Sequence, residues 1–316
     1  MRLKLTILTI LVGALSVLSF YLVYSDQKIN LEAALASSSR SGSGFDLQTA
    51  FVLPISEPTY FPIRNTEIAP PELSAKSFLV YDTQNDKIIF SKDDGRALPV
   101  ASLTKLLSAI IIFENLDPQD IIEITPESFN VDGEGADFHL QEQFYLKDLL
   151  GALLVKSSND AAAAIALKVE RKTGQKFIDL MNQKALQIGL ERSNFLDPAG
   201  LNDEGYSTAR DLLRLIRYFK GYPELWRLLG LGSLDIFSAD RKFSHHFTST
   251  NKLFGVLPNL TGGKTGYTDG ALGCMILEEN LPEQSSSLIV IVLGSNDRFG
   301  EIQKLVNWSK LAFRWR

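Results

Sequence analysis

Short apolar runs rich in branched side chains lie near both ends of the main body of this chain, and helical patterns fill the sequence between them. Residues 77–81 and 87–90 flank a polar turn at 83–86 and predict a β-hairpin. Residues 272–277 and 288–293 predict two further strands close to the other end. Strands at both ends with helices between them predict an α+β fold, in which sequence-distant strands form one antiparallel sheet and the helices form an insert.

The helical patterns begin with residues 102–116, which are apolar on nearly every side and therefore predict a helix in the core. The other predicted helices are residues 146–156, 160–172, 177–188, 208–219 and 298–313. In the last of these, the apolar residues recur at the spacing of a helix that packs on one face.

The amino-terminal residues differ from this body, because residues 5–24 carry no charge. As a helix they would span about 30 Å, the thickness of the hydrocarbon core of a bilayer. Arg2 and Lys4 precede the run, and this predicts an anchor at 1–24 with the remainder of the chain outside the cell. A cleaved signal peptide is the alternative, because Ala34-Leu35-Ala36 has the small-x-small form of a cleavage site.

Residues 25–72 are rich in Ser, Gly and Pro and predict an extracytoplasmic linker. The globular body is then predicted at residues 73–316, which is long enough to bury a core.

Composition excludes several classes of function. The net charge is −5, so no basic surplus points to nucleic acid. Cys274 is the single cysteine, which excludes an internal disulfide and predicts a small core residue. The three histidines, His139, His245 and His246, form no H-E-x-x-H or H-x-x-E-H pattern, so we predict no catalytic metal. No G-x-S-x-G elbow occurs, which argues against an α/β-hydrolase. We also predict no organic cofactor.

The pattern S-x-x-K occurs at 25–28, 102–105 and 249–252. At the start of the apolar helix, the i, i+3 spacing places Ser102 and Lys105 on one helix face. An apolar setting lowers the pKa of a lysine toward the range in which its neutral amine can take a proton from a serine hydroxyl. We therefore predict Ser102 as a nucleophile and Lys105 as its base.

Ser157-Ser158-Asn159 interrupts two predicted helices. Such a polar break is commonly a helix N-cap. It could also place a hydroxyl and an amide at the mouth of a cleft, where Ser157 would pass protons to a leaving group. Asn159 would then hold a substrate amide and orient Lys105. The residues alone leave both interpretations open.

The tripeptide K-T-G occurs twice. At 172–174 it ends a predicted helix, so its glycine is predicted as a C-terminal cap. At Lys264-Thr265-Gly266 it precedes a strand pattern and is predicted to lie on a strand. Gly266 would let an extended peptide lie against that strand, and Lys264 and Thr265 would contact a substrate carboxylate.

Taken in order, Ser102, Ser157 and Lys264 head a set of motifs that resembles the penicillin-recognising serine acyltransferases, which comprise penicillin-binding proteins and serine β-lactamases. Longer segments resemble the D-alanyl-D-alanine carboxypeptidases, the low-molecular-mass penicillin-binding proteins of peptidase family S11. These segments are residues 99–105, 157–162, 195–201, 206–211 and 264–268, together with Trp308. The resemblance runs from about Phe78 to the end and implies a β-lactamase/transpeptidase-like fold, an antiparallel sheet flanked by helices plus a helical subdomain.

The resemblance also implies roles for individual residues. Ser102 would be the acylated nucleophile and Lys105 its base, and Ser157, Asn159 and Lys264 would be the other polar groups of the cleft. The backbone N–H groups of Ser102 and Tyr267 would form an oxyanion hole. Arg298 would help bind the terminal carboxylate of the substrate. Many members have glycine where Ser158 stands, and we expect this side chain to face away from the cleft.

The implied function is a membrane-tethered D-Ala-D-Ala carboxypeptidase that removes the terminal D-alanine from peptidoglycan stem peptides through an acyl-enzyme on Ser102. β-Lactams would acylate the same serine and inhibit the enzyme. Three alternatives remain: a D,D-endopeptidase that cuts cross-links, a β-lactamase, and an inactive wall-binding module. A class A β-lactamase is disfavoured because Glu191 lacks the E-x-x-L-N frame.

Overall fold

The computed structural model describes residues 62–129, 131–281, 283 and 286–315. The predicted anchor at 1–24 and most of the predicted linker lie outside these residues. In the part of the chain that is described, no helix has the length and apolarity needed to cross a bilayer.

The strands of the described chain form one large sheet and three small ones. They are β1 (Ile63–Arg64), β2 (Ser77–Asp82), β3 (Lys87–Lys92), β4 (Ile121–Glu123), β5 (Gln143–Tyr145), β6 (Ser233–Phe237), β7 (Ser244–Thr248), β8 (Leu260–Thr268), β9 (Leu272–Leu281), β10 (Ser286–Ser295) and β11 (Phe313–Arg314). The large sheet has the order β3-β2-β10-β9-β8, and all of its neighbouring strands are antiparallel. The predicted hairpin and the predicted joining of strands from both ends of the body are confirmed.

Both faces of the large sheet are covered. Phe78 and Val80 of β2 belong to one apolar core, whereas Leu79 and Tyr81 belong to the core on the opposite face. This division follows from the two-residue period of a strand. Because both faces are buried, β2 and β10 appear in the sequence as continuous apolar runs.

The helices occupy both faces of this sheet. They are α1 (Thr104–Asn115), α2 (Leu146–Gly151), α3 (Asn159–Thr173), α4 (Phe177–Gln187), α5 (Ala209–Phe219), α6 (Pro223–Leu229) and α7 (Arg298–Ala312). Helix α7 packs on one face through Ile302, Leu305 and Val306. The remaining helices belong to the core on the other face, so the α+β prediction is confirmed.

Helix α1 lies at the centre of the helical part, where α3, α4 and α5 pack around it. Its residues from Thr104 to Ile112 are all buried, as the apolar sequence predicts. The helix is preceded by a single 3₁₀ turn, Ala101–Leu103, so Ser102 stands in the turn rather than in the α-helix itself.

The predicted helix at 146–156 is only partly correct. The α-helix ends at Gly151, and Ala152–Lys156 continue as a π-helical turn. That turn ends at Ser157, whose φ of 66° is left-handed. Such wide turns are rare and commonly lie at functional sites, because they redirect the side chains that follow.

The sequence patterns did not reveal the β6–β7 hairpin. Each of its strands has one fully buried apolar side chain, Ile236 in β6 and Phe247 in β7, and the other positions are mostly exposed. A strand needs a longer alternation of apolar and polar residues before its pattern can be recognised.

One further feature concerns the start of the body. Residues 63–65 fall within the predicted linker, yet Ile63 and Arg64 pair with β11 and the Asn65 N–H donates to the Ala312 carbonyl. The described body therefore begins before residue 73.

Cys274 is fully buried in the core, as predicted, and burial raises the pKa of its thiol to about 11.

Candidate active site

The Lys105 side chain is fully buried and makes three polar contacts. Its Nζ lies 2.9 Å from Ser102 Oγ, 2.7 Å from Asn159 Oδ1 and 3.0 Å from the Ala199 carbonyl oxygen. The first contact is local, because Ser102 in the 3₁₀ turn and Lys105 in α1 are three residues apart in the chain. The other two join segments that are distant in sequence, the start of α3 and the loop before α5.

Burial lowers the pKa of the Lys105 ammonium from 10.5 to about 7, and the nearby charges of Asp197 and Glu134 partly oppose this shift. Desolvation has this effect because it disfavours the charged form. Near neutral pH a large fraction of Lys105 is therefore uncharged.

A neutral amine has two N–H groups and one lone pair. Asn159 Oδ1 and the Ala199 carbonyl oxygen can only accept hydrogen bonds, so they take the two N–H groups. The lone pair then faces Ser102 Oγ. This arrangement equips Lys105 to accept the proton of the Ser102 hydroxyl.

Asn159 uses both ends of its amide within the protein. Its Oδ1 accepts from Lys105, and its Nδ2 donates to the Asp132 carbonyl oxygen at 2.5 Å. The contact to Lys105 is the predicted one that orients the lysine. Asn159 is also predicted to hold a substrate amide, but in this structure its Nδ2 donates to the Asp132 carbonyl oxygen.

Ser158 has the capping role that a polar break commonly has. It is fully buried, and its Oγ accepts the Ala161 N–H at 3.1 Å at the start of α3. Ser157-Ser158-Asn159 therefore serves both as a helix cap and as part of the cleft, because Asn159 contacts Lys105 and Ser157 contacts Lys264. This agrees with the expectation that the Ser158 side chain faces away from the cleft.

Strand β8 brings the third motif to the same place. Lys264 is buried, and its Nζ donates to Ser157 Oγ at 2.7 Å and to the Thr265 carbonyl at 3.0 Å. Burial, followed by the positive charges of Lys105 and Arg298, lowers the pKa of Lys264 well below its ordinary value. The positive charge of Lys105 thus contributes to disfavouring the charged form of Lys264.

Gly266 allows β8 to approach the 3₁₀ turn closely. A Cβ at this position would lie 2.9 Å from the Ser102 backbone nitrogen and 3.1 Å from the Ala101 Cβ. The missing side chain therefore makes room for the turn that carries Ser102, in addition to the predicted access for an extended peptide. Among the described strands, β8 pairs only with β9, so its other edge borders the site.

The remaining predicted residues are Thr265, Tyr267 and Arg298. The Thr265 hydroxyl is 2.6 Å from the Thr250 hydroxyl, and the Tyr267 side chain is exposed. Arg298 begins α7 with its guanidinium 5.8 Å from the centroid of the Tyr267 ring. Its Nε is buried and has no hydrogen-bond partner among the described residues.

A loop that carries none of the predicted site residues supports Lys105. The Asp197 carboxylate accepts backbone N–H groups along its own loop, from Ala199, Gly200, Leu201 and Asn202. These bonds fix the loop whose Ala199 carbonyl accepts from Lys105. Gly200, with φ of +80°, packs against the Ala101 carbonyl. The D-x-x-G spacing was the available signal for this loop.

The competing copies of the motifs make different contacts. Ser249 Oγ accepts the Asn251 N–H, and Lys252 lies over the Phe299 ring. Lys172 pairs with Asp120, and Gly174 caps α3 with φ of 72°, as predicted. The S-x-x-K copy at 25–28 lies outside the described residues.

Comparison with known proteins agrees with this arrangement. The sequence model of the D-alanyl-D-alanine carboxypeptidase family matches residues 64–297. A D-alanyl-D-alanine endopeptidase of Pseudomonas aeruginosa is 29% identical over 245 residues, which are 75% of this chain and 77% of that protein. The D-alanyl-D-alanine carboxypeptidase DacF of Bacillus subtilis is 27% identical over 256 residues, 78% of this chain and 64% of the relative.

Solved structures share the fold. Penicillin-binding protein D2 of Listeria monocytogenes, in its ampicillin-bound form, superposes with a TM-score of 0.66 and 26% identity over 77% of this chain and 99% of that structure. The fold is therefore of the predicted β-lactamase/transpeptidase-like type. Because the family match covers most of the chain, the chain belongs to the D-alanyl-D-alanine carboxypeptidases of peptidase family S11, a family of serine hydrolases.

Proposed function

We propose that this protein is a serine D,D-carboxypeptidase that removes the terminal D-alanine from peptidoglycan stem peptides through an acyl-enzyme on Ser102. One observation carries the proposal: the buried Lys105 Nζ lies 2.9 Å from Ser102 Oγ, and burial lowers the pKa of this lysine to about 7. Ser102 Oγ attacks the penultimate carbonyl while Lys105 takes its proton. D-alanine leaves, and water then hydrolyses the ester.

The contact between Lys264 and Ser157 supports the departure of the leaving group. Because Lys264 Nζ donates to Ser157 Oγ, the hydroxyl proton of Ser157 is free to point toward the cleft. Ser157 can give that proton to the departing amine as the C–N bond breaks. Lys264 stabilises the negative charge that develops on the Ser157 oxygen during this transfer.

The groups at the end of β8 support binding of the substrate. Thr265 and Lys264 provide hydroxyl and amine donors for the terminal carboxylate, and Arg298 provides a cationic donor. Arg298 Nε has no hydrogen-bond partner within the described part of the chain, as expected of a guanidinium that acquires its partner from the substrate. The backbone N–H groups of Ser102 and Tyr267 would receive the oxyanion, and the close approach at Gly266 brings these two segments together.

A D,D-endopeptidase that cuts peptidoglycan cross-links is the second candidate. It is favoured by the Pseudomonas aeruginosa relative, which is an endopeptidase and is similar to this chain over three quarters of its length. The two reactions use the same nucleophile and differ in the group that leaves.

Digestion of two purified substrates separates these candidates. The full chain in detergent would be incubated with a stem pentapeptide ending in D-Ala-D-Ala and, in parallel, with a cross-linked muropeptide dimer. We expect release of free D-alanine from the pentapeptide to be the faster reaction. Faster conversion of the dimer to monomers would establish the endopeptidase instead, and no reaction with either would overturn both.

The proposal includes a membrane location and sensitivity to β-lactams. Residues 5–24 would hold the catalytic body at the outer face of the cytoplasmic membrane. Membrane fractionation of cells, with sodium carbonate washing, would test this, because a cleaved and secreted form would appear in the soluble fraction. Ampicillin binding by the Listeria protein supports acylation of Ser102 by penicillins.

The acylation rate should depend on pH through Lys105. Only the neutral amine can take the Ser102 proton, so the active form lies above the Lys105 pKa of about 7. We expect the second-order rate of labelling by a fluorescent penicillin to rise about tenfold per pH unit at acidic pH and to level off above neutrality. A profile that is flat or falls between acidic and neutral pH would contradict this role of Lys105.

Gly266→Ala should disable the site without unfolding the protein. The new Cβ would lie 2.9 Å from the Ser102 backbone nitrogen, so the strand and the turn must separate. Displacing one oxyanion donor costs about 10²–10³ in rate, and we expect a loss of this size in penicillin acylation. Gly95→Ala is the matched control, because its Cβ would meet no heavy atom closer than 3.8 Å. Equal acylation by both variants would contradict the prediction.

A further inference from the structure

A second group of polar side chains lies outside the proposed active site. It consists of His139, Glu142 and His245, and their ligand atoms all lie within 4.8 Å of one another. His139 and Glu142 are in the segment that leads into β5, and His245 is in β7. Among the described residues, no other group of three or more His, Cys, Asp or Glu was found with this geometry.

We propose that His139, Glu142 and His245 bind a divalent transition metal ion of the zinc type. In a tetrahedral zinc site, bond lengths of about 2.0–2.2 Å place neighbouring ligand atoms about 3.4 Å apart. Glu142 Oε1 lies 3.4 Å from His139 Nδ1 and 3.0 Å from His245 Nε2. An ion between these atoms therefore requires only small movements of the side chains.

Two of the three ligands are already held in place. The Glu142 side chain is only 1% exposed, and its Oε2 accepts the His139 backbone N–H at 2.8 Å. This bond leaves Oε1 directed at both imidazoles. The His245 ring packs against the rings of Phe138 and Phe144. Such supporting contacts orient metal ligands and reduce the cost of ordering them on binding.

The third ligand, His139, lies at the surface and can adjust its position. The His139 side chain is 66% exposed, so its ring can rotate toward the ion without disturbing the core. A surface cavity of about 280 Å³ adjoins the group and is lined by residues that include Leu140, Glu142 and Phe243. Water entering through this cavity can supply the fourth ligand.

The chemistry of the three ligands selects the class of ion. Two imidazoles and one carboxylate form a set that zinc commonly uses. Mg²⁺ and Ca²⁺ prefer sites made of oxygen atoms and should bind weakly here. The positive charge of the ion would also compensate the buried Glu142 carboxylate.

The position of the group predicts what the ion does. The segment that carries His139 and Glu142 also carries Asp132, whose carbonyl accepts from Asn159. The chain after β7 carries Thr250, whose hydroxyl contacts that of Thr265. A metal ion would therefore fasten together two segments that border the active site, and it would stabilise the fold without taking part in the reaction.

Zinc titration of the full chain tests the proposal. The protein would be purified in detergent, freed of its affinity tag and of bound metal, and titrated with ZnCl₂ in a calorimeter. We expect one zinc ion per chain and a higher Tm in the presence of zinc, with no comparable effect of MgCl₂. His139→Ala should weaken zinc binding by at least about tenfold and remove the zinc-dependent increase in Tm.

His246→Ala is the matched control. The chain has three histidines, and the exposed His246 contacts Asp235 rather than the proposed ligands. Its loss should leave zinc binding unchanged. Because His139 is exposed, the cooperative unfolding of His139→Ala without metal should match that of the wild type. Absence of saturable zinc binding by the wild type would overturn the proposal and leave a hydrogen-bonded group without an ion. Equal binding by wild type and His139→Ala would do the same.

Discussion

Ser102→Ala is expected to abolish covalent labelling by fluorescent penicillin and to lower the rate of D-alanine release by about 10⁶-fold, the scale on which serine peptidases respond to loss of their nucleophile. The physical reason is that alanine has no oxygen with which to form the acyl ester. The substitution removes only the hydroxyl group of one residue in the 3₁₀ turn, so the fold should be retained. Intact-mass measurement after exposure to penicillin detects the adduct directly.

Ser249→Ala is the matched control, because Ser249 heads the other described S-x-x-K sequence and lies in a segment without the buried lysine. This variant should acquire one penicillin per chain, as the wild type does. Labelling that persists in Ser102→Ala, or that disappears in Ser249→Ala, would assign the nucleophile to another residue.

Lys105→Met should lower the rate of penicillin acylation by about 10²–10⁴-fold, the usual contribution of a general base. Methionine occupies a similar volume but offers no lone pair basic enough to take the Ser102 proton. It also leaves Asn159 Oδ1 and the Ala199 carbonyl without their donor, so a modest decrease in Tm is expected. Stopped-flow measurement of acylation, together with a thermal melt, separates loss of the base from loss of the fold.

Lys252→Met provides the comparison for this variant. Lys252 is an exposed lysine in the second described S-x-x-K sequence, and its Nζ lies 5.9 Å from the centroid of the Phe299 ring. The acylation rate of the Lys252→Met variant, and the dependence of that rate on pH, should match those of the wild type. If Lys105→Met retained the wild-type rate and its rise with pH, another group would have to be the base.

Helix α1, at the centre of the fold, could be predicted because its apolar pattern lies within one short stretch of sequence. Eight of the nine consecutive buried positions from Thr104 to Ile112 carry apolar or small side chains, and Lys105 is the exception. The apolar runs of β2, β9 and β10 likewise reflect burial on both faces of the sheet. The edge strand β3 is only partly buried, and it is predicted from the polar turn that it shares with β2. The β6–β7 hairpin was missed because most of its side chains face solvent.

Local context distinguishes the active-site motifs from their duplicates. An apolar helix follows Ser102, and a strand pattern follows Lys264. These signals come from neighbouring residues alone. The structure brings Lys105 to Asn159 and Lys264 to Ser157 across 54 and 107 residues, and these distances in sequence leave no periodic signal.

The sequence by itself determined the long helices, the strands β2, β3, β9 and β10, the apolar setting of Lys105 and the identity of the chemical groups, because these follow from side chains that are close together in the chain. Only the tertiary structure decided that Asn159 Nδ2 is held by Asp132, that the Ala199 carbonyl completes the surroundings of Lys105, and that two separate segments bring His139 and His245 to Glu142. These contacts are made by backbone atoms and by residues far apart in the chain. Their formation depends on how the elements pack, and no local pattern of residues encodes it.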